Sequence, residues 1–121
     1  MSHLVLPGLD EKPVERGGGV RTWYLVTADR GATEFSTGIT EFDPGASLAR
    51  HFHNCQESVT VLEGHAIFEA DGDECGMEAN ASTLVPTGIV HRFRNLGPGR
   101  LRILFVYGSI NATRTIVPET T

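Results

Sequence analysis

The sequence predicts an all-β fold, a sandwich or barrel of about nine short strands. Short runs rich in β-branched and aromatic residues recur along the 121 residues. Turn-forming residues separate these runs, and the chain contains 14 Gly and 6 Pro. No window has the 3.6-residue apolar period of an amphipathic helix. The length and the absence of a linker indicate one domain that needs no disulfide to fold.

The strands are predicted to begin after a lead-in segment, residues 1–19, which closes with the flexible break Gly17-Gly18-Gly19. Residues 20–121 are expected to form a single β-barrel domain. The candidate strands, in chain order, are 20–27, 33–42, 47–53, 57–63, 65–71, 82–86, 91–95, 101–108 and 113–117.

Each boundary between candidate strands has its own turn signal. Asp29-Arg30-Gly31 ends the first strand, and Asp43-Pro44-Gly45 ends the second. Gly64 separates the fourth from the fifth, and Asp71-Gly72 predicts a hairpin turn. Gly97-Pro98-Gly99 breaks the chain before the long apolar run at 101–108.

The composition argues against two classes of partner. The net charge is -5, Lys12 is the sole lysine, and the arginines are scattered, so no basic stripe for nucleic acid is present. No apolar run approaches the ~20 residues of a membrane span, and the N-terminal stretch lacks a signal-peptide core. We therefore expect a cytoplasmic protein in which Cys55 and Cys75 stay reduced.

Four residues form a candidate metal-ligand set: His51, His53, Glu57 and His91. Residues i and i+2 of a strand point to the same face, so His51 and His53 project together and Phe52 points away. Glu57 shares their face if the strand continues through residues 54–56, and a turn in that segment would also deliver it. His91 comes from a later strand.

Imidazole and carboxylate ligands together suit Fe(II), Mn, Co, Ni or Zn rather than Ca or Mg. The four residues bind without a thiolate and would leave coordination positions open in an octahedral site. Open positions favour a catalytic or ligand-binding centre over a closed structural one. His-x-His alone is a weak signal, and a lone histidine is usually a surface or core residue. His3 and His65 are interpreted in that way.

The wider pattern resembles a known family. Residues 45–64 read G-x5-H-x-H-x3-E-x6-G, and residues 86–95 read P-x-G-x2-H-x3-N. These resemble the two sequence motifs of the cupin superfamily in the right order. The leading glycine of the second motif is missing, and Asn80 stands in its place. Asn adopts the left-handed conformation more readily than other non-glycine residues, so we expect the same backbone turn there.

The resemblance implies a double-stranded β-helix, or jelly-roll barrel, and a small single-domain cupin. It carries the role of metal ligand onto His51, His53, Glu57 and His91. One divalent transition metal is implied, with Fe(II) favoured and Mn, Ni, Co or Zn as alternatives. Asn95 is expected to lock a turn by side-chain hydrogen bonds rather than to touch the metal.

Strand parity predicts the residues that line the pocket above the metal: Val59, Val61, Phe93, Tyr107 and Cys55. We expect a mostly apolar pocket with few charged groups, which favours a small, partly apolar or aromatic substrate. Cys55 is interpreted first as a small buried side chain, with a redox or ligand role as the alternative.

The family implies several functions. We place first a metal-dependent enzyme acting on a small organic substrate by dioxygenase-like chemistry, with isomerase, cyclase and lyase reactions left open. Glu57 would stay bound as a ligand or act as a general base. The alternatives are a non-catalytic cupin that binds a sugar or another metabolite, and a structural or assembly module. Exposed strand edges lead us to expect a homodimer.

Overall fold

Two facing antiparallel sheets form the protein in a computed structural model that describes residues 3–6, 8–9 and 12–119. The strands of this part of the chain are β1 Val14–Gly17, β2 Val20–Val26, β3 Ser36–Phe42, β4 His51–His53, β5 Glu57–Glu63, β6 Ala66–Ala70, β7 Asp73–Met77, β8 Ser82–Val85, β9 His91–Arg94, β10 Leu101–Tyr107 and β11 Arg114–Ile116. The described residues also contain one short 3-10 helix, Ala28–Arg30.

The six-stranded sheet has the order β1-β2-β3-β10-β5-β8, and the five-stranded sheet has the order β11-β4-β9-β6-β7. Strands that are neighbours in the chain therefore often lie in opposite sheets, as β4 and β5 do. This arrangement confirms the predicted all-β jelly-roll fold. Of the described residues, none belongs to a helix with the length and apolarity needed to cross a membrane.

The core lies between the two sheets because the central strands alternate strictly. In β3 every second residue is buried, from Ser36 to Phe42, and β10 alternates from Leu101 to Phe105. Side chains on one face of a pleated strand share one environment, so this period of two places one face inside and the other near solvent. Each large apolar side chain buried in this way stabilises the fold by roughly 2 kcal/mol.

Two strands were missed by the sequence analysis, and both are edge strands. β7 follows the predicted hairpin turn, in which Asp71 and Gly72 have φ of 51° and 84°. Its first four residues are exposed, so it has no apolar alternation to detect. β1 lies inside the predicted lead-in and pairs with β2 across a register shift between Glu15 and Gly17.

Several predictions concern residues or properties that the structure does not describe. Residues 1, 2, 7, 10 and 11 of the predicted lead-in, and residues 120 and 121 of the predicted domain, lie outside the described residues. The homodimer and the cytoplasmic location stay predictions.

Asn95 joins three parts of the chain beneath the second motif. Its Nδ2 donates to the carbonyl oxygens of Phe42, Asp43 and Gly99 at 3.1, 3.2 and 2.9 Å. Its Oδ1 accepts from the amide of Gly97 at 2.9 Å. The side chain is buried, so the predicted turn-locking role is confirmed. The left-handed turn predicted at Asn80 is confirmed as well, with φ of 75°.

We predict that Asn95→Ala destabilises the protein by about 3 kcal/mol, because it leaves buried carbonyl groups without donors. Urea unfolding followed by circular dichroism measures the change. Asn111→Ala is the matched control, since Asn111 is exposed, and it should shift the unfolding midpoint little. Equal midpoints for the two variants would contradict the role given to Asn95.

Candidate metal centre

Three histidines from two neighbouring strands converge on one point. His51 and His53 lie on β4, and His91 lies on β9 directly opposite His51 in the strand register. Antiparallel partners share a face, so this register brings the three imidazoles together. One ring nitrogen from each histidine lies within 4.8 Å of the others. All three side chains are buried.

Backbone carbonyl groups orient all three imidazoles. Nδ1 of His51 lies 2.7 Å from the oxygen of Ala49, and Nδ1 of His91 lies 2.8 Å from the oxygen of Ile89. Nδ1 of His53 lies 3.0 Å from the oxygen of Thr113. A carbonyl only accepts hydrogen bonds, so each Nδ1 carries the hydrogen and donates it. Each Nε2 is thereby left with a lone pair, which is the tautomer that binds a metal.

Glu57 reaches the histidines from the opposite sheet. β4 ends at His53, residues 54–56 form a bend, and Glu57 begins β5 in the facing sheet. A turn rather than a continuous strand therefore delivers the carboxylate. Its Oε1 lies 3.0 Å from Nε2 of His91 and 3.5 Å from Nε2 of His53.

Burial sets the charge of the site. It lowers the pKa of His51 to about 3, so this imidazole is neutral at neutral pH. Burial alone would raise the pKa of Glu57, but the contacts with His53 and His91 outweigh it and hold the pKa below its usual value. A neutral imidazole and an ionised carboxylate are the protonation states that metal binding requires.

Two observations show that these residues fit a divalent transition metal. Nε2 of His53 is buried without a hydrogen-bond partner. Nε2 of His91 lies 3.0 Å from Oε1 of Glu57, a separation that suits two ligand atoms at adjacent positions of one ion. Ligand atoms at adjacent positions of one ion, each about 2.1 Å from it, are about 3.0 Å apart.

A cavity of about 330 Å³ opens beside His53, with Tyr24, Tyr107, Arg16 and Arg114 among its lining residues. A smaller space of about 20 Å³ reaches His51 and Glu57. Arg16, Tyr107 and Arg114 line both spaces. His53 therefore borders the larger space, His51 and Glu57 border the smaller one, and His91 lines a separate cavity of about 390 Å³.

The residues predicted to line the pocket divide into two groups. Tyr107 lines both spaces and its ring lies 4.7 Å from that of His53, while Phe93 lines the smaller space. Val59 and Val61 are fully buried in the hydrophobic core and line neither space.

Cys55 is buried close to the ligands but outside the histidine cluster. Burial raises the pKa of its thiol, which keeps it protonated at neutral pH. A protonated thiol is a poor metal ligand and a poor nucleophile. These properties match a small buried side chain. Cys55 and Cys75 are both free thiols.

The expectation of a pocket with few charged groups was wrong, because Arg16 and Arg114 line the cavity. Arg114 belongs to a predicted strand, but its position depends on the pairing Arg114↔His53, which sequence does not reveal. Arg16 lies in the segment that we interpreted as a lead-in. No sequence signal that we recognised linked either arginine to the histidines.

A larger cavity of about 780 Å³ lies away from the ligands, between residues of the N-terminal segment and the region around Phe35. Leu4, Leu6, Leu25 and Val26 are among its lining residues. Among the described residues, its lining holds no cluster of potential metal ligands, so the 330 Å³ cavity beside His53 is the better candidate for chemistry.

Comparison with known proteins identifies relatives of this chain. Residues 38–107 match the family model described as "Cupin domain". Polyketide synthase CurC of Streptomyces cyaneus is 33% identical over 102 residues, which cover 80% of this chain and 66% of that protein. Tetracenomycin polyketide synthase protein TcmJ of Streptomyces glaucescens is 30% identical over 94 residues, covering 77% and 63%. The chain thus spans slightly less than two thirds of these relatives.

Among solved structures, the polyketide cyclase RemF from Streptomyces resistomycificus superimposes with a TM-score of 0.83. The match covers 99% of this chain and 88% of RemF at 23% sequence identity. At this level of sequence identity, the similarity to RemF supports a shared fold and nothing further.

We predict that the purified protein binds about one divalent transition metal per chain and that His91→Ala removes most of it, because a ligand and its fixed tautomer are lost. Elemental analysis after loading with Fe(II), Ni(II) or Zn(II) measures the content. His65→Ala is the control, since His65 is exposed and lies outside the cluster. Unchanged metal content in His91→Ala would show that the cluster is not the site.

Proposed function

The chain belongs to the cupin family, and from that premise we propose that it is a metal-dependent enzyme that closes a ring in a small polyketide. The buried ligand set beside a tyrosine-lined cavity, in a chain 33% identical to polyketide synthase CurC, carries this proposal. The fold shared with the cyclase RemF supports it.

His51, His53, His91 and Glu57 would hold the ion. Fe(II) is the first candidate, with Mn, Ni, Co and Zn as alternatives. When bound, the ion polarises a ketone oxygen of the substrate and so makes the neighbouring C–H group more acidic. Because Glu57 is the single carboxylate among these residues, a divalent ion held there would keep a net positive charge for that purpose.

Glu57 is the base within reach of the substrate. Its carboxylate is ionised and lines the smaller space, which shares Arg16, Tyr107 and Arg114 with the larger cavity. It accepts a proton from a methylene group between two ketones, and that carbon then attacks a carbonyl further along the substrate. The proton returns as the new ring loses water, so the reaction consumes no oxidant.

Tyr107 is positioned to bind the substrate beside the ligands. Burial raises the pKa of its hydroxyl, which therefore remains a hydrogen-bond donor at neutral pH. A donor beside a ketone oxygen stabilises the negative charge that develops there as the C–H bond breaks.

Cyclisation takes precedence over the dioxygenase chemistry that we placed first from sequence. The relatives named above include polyketide synthase proteins, and nothing among them supports dioxygenase activity. Poly-β-ketone chains cyclise by proton transfer and carbon–carbon bond formation, which the ligand set and one base suffice to catalyse. A binder without turnover and an assembly module are the competing outcomes of the test.

We predict that the metal-loaded protein converts a synthetic poly-β-ketone acid into a cyclic product with loss of water under anaerobic conditions. Mass spectrometry and ultraviolet absorbance follow the product. Glu57→Gln should slow the reaction by about 100-fold or more at saturating metal, since the variant loses both the general base and the charged ligand.

His65→Gln is the control for this experiment and should leave the rate unchanged. A product that forms only with oxygen uptake would restore the dioxygenase hypothesis. Tight binding of the substrate without any product would favour a binding protein.

A further inference from the structure

Two arginines stand at the mouth of the candidate site, one from each sheet. Arg16 lies on β1, the edge strand of the six-stranded sheet, and Arg114 lies on β11, the edge strand of the five-stranded sheet. Both line the 330 Å³ cavity and the smaller space that reaches His51 and Glu57. Two side chains from different sheets thus border the same spaces.

Local structure directs both side chains inward. Arg114 pairs with His53 in the strand register, so both residues lie on the inner face of the sheet. Arg16 lies at the register shift between Glu15 and Gly17, and its Nη1 donates to Oγ1 of Thr22 at 3.2 Å. Thr22 is itself buried and bonded to Thr40 at 2.9 Å. Strand irregularities of this kind often redirect a side chain towards a site.

The two arginines differ from several on the outer surface. Those arginines pair with carboxylates, as the contacts Arg21–Asp43, Arg94–Glu74 and Arg100–Glu63 show. Within the part of the chain that the structure describes, neither Arg16 nor Arg114 forms an ion pair with a carboxylate. Glu57 is the nearest inward carboxylate, and it is engaged by the histidines.

Burial of Arg114 and the nearby charge of Arg16 together outweigh the favourable interaction of Arg114 with the Glu57 carboxylate. Arg114 is half-buried, and burial lowers the pKa of its guanidinium, as does the charge of Arg16. A guanidinium stays protonated in proteins, so the repulsion is not relieved by loss of a proton. An anion between the two groups would relieve it and would accept several hydrogen bonds.

Aromatic rings line the same two spaces as the arginines. Tyr24 packs edge-on against Phe105 with ring centroids 6.1 Å apart, and Phe105 lies 4.9 Å from Tyr107. The two spaces therefore bring together cationic, aromatic and metal-ligand side chains. A molecule that fits all three has an anionic end, an unsaturated or aromatic body and ketone oxygens.

We propose that Arg16 and Arg114 together bind the carboxylate of the substrate, so that this protein acts on a free polyketide acid rather than on a thioester attached to a carrier. The proposal rests on the function proposed above. A guanidinium fork matches a carboxylate in two parallel hydrogen bonds, whereas a neutral thioester offers no charge to either group. Holding the acid at the mouth places the ketones towards Glu57.

The test compares three probes of similar size: 2-naphthoate, its neutral analogue 2-naphthamide, and 2-naphthyl phosphate. Isothermal titration calorimetry measures their binding to the full chain, both metal-free and loaded with Zn(II). We expect naphthoate to bind at least about tenfold more tightly than the amide in both states, because a hydrogen bond to a charged group is lost in the amide. The metal-free result is independent of any metal-centred function.

Arg114→Gln and Arg16→Gln should each reduce the preference for the acid by about tenfold and leave amide binding unchanged. Arg16→Gln is the second variant in case Arg114→Gln does not fold. Arg100→Gln removes the same charge about 23 Å along β10 from Tyr107, and it should retain the full preference.

Equal binding of acid and amide, or no binding of the acid, would overturn the proposal. The proposal would also be overturned if Arg16→Gln and Arg114→Gln both kept the wild-type preference for the acid over the amide. Tighter binding of the phosphate than of the carboxylate would overturn the assignment of a carboxylate. Loss of metal binding with the acid preference intact would instead count against the proposed function alone.

Discussion

Three backbone carbonyl groups determine what the histidine cluster can do. By accepting from Nδ1 of His51, His53 and His91, they turn every Nε2 lone pair towards one point. The carbonyls belong to residues two positions away in two cases and to a distant loop in the third. The ligands are therefore oriented by main-chain geometry, which the jelly roll holds rigidly, rather than by replaceable side chains.

The sheet that faces the three histidines supplies the fourth candidate ligand, Glu57. His51, His53 and His91 come from one sheet, and Glu57 comes from the other, although only a short bend separates it from His53. A sheet separation of about 10 Å leaves room for an imidazole from one side and a carboxylate from the other. The ligand set is consequently also a contact between the sheets, and a cation bound there holds them together.

The sequence was informative where the physics is local. Alternation and turn residues predicted nine of the strands, and two spaced motifs predicted the residues that cluster and the turns at Asn80 and Asn95. Strand pairing is not local, so the arginines that oppose the histidines were missed. β1 and β7 were missed because exposed edge strands carry no apolar pattern. Parity gave the correct inner face for Val59 and Val61, but it did not distinguish packed core from cavity wall.

The hydrogen bond between His53 and Thr113 has a consequence for the order in which the site forms. The two residues are 60 positions apart, so during synthesis His53 leaves the ribosome well before the carbonyl that orients it. Arg114 follows directly, and it pairs with the same histidine. Docking of β11 therefore completes the ligand geometry and one side of the cavity mouth in one event. Until that event His53 lacks the carbonyl that orients it, whereas His51 and His91 have theirs two residues away in the chain.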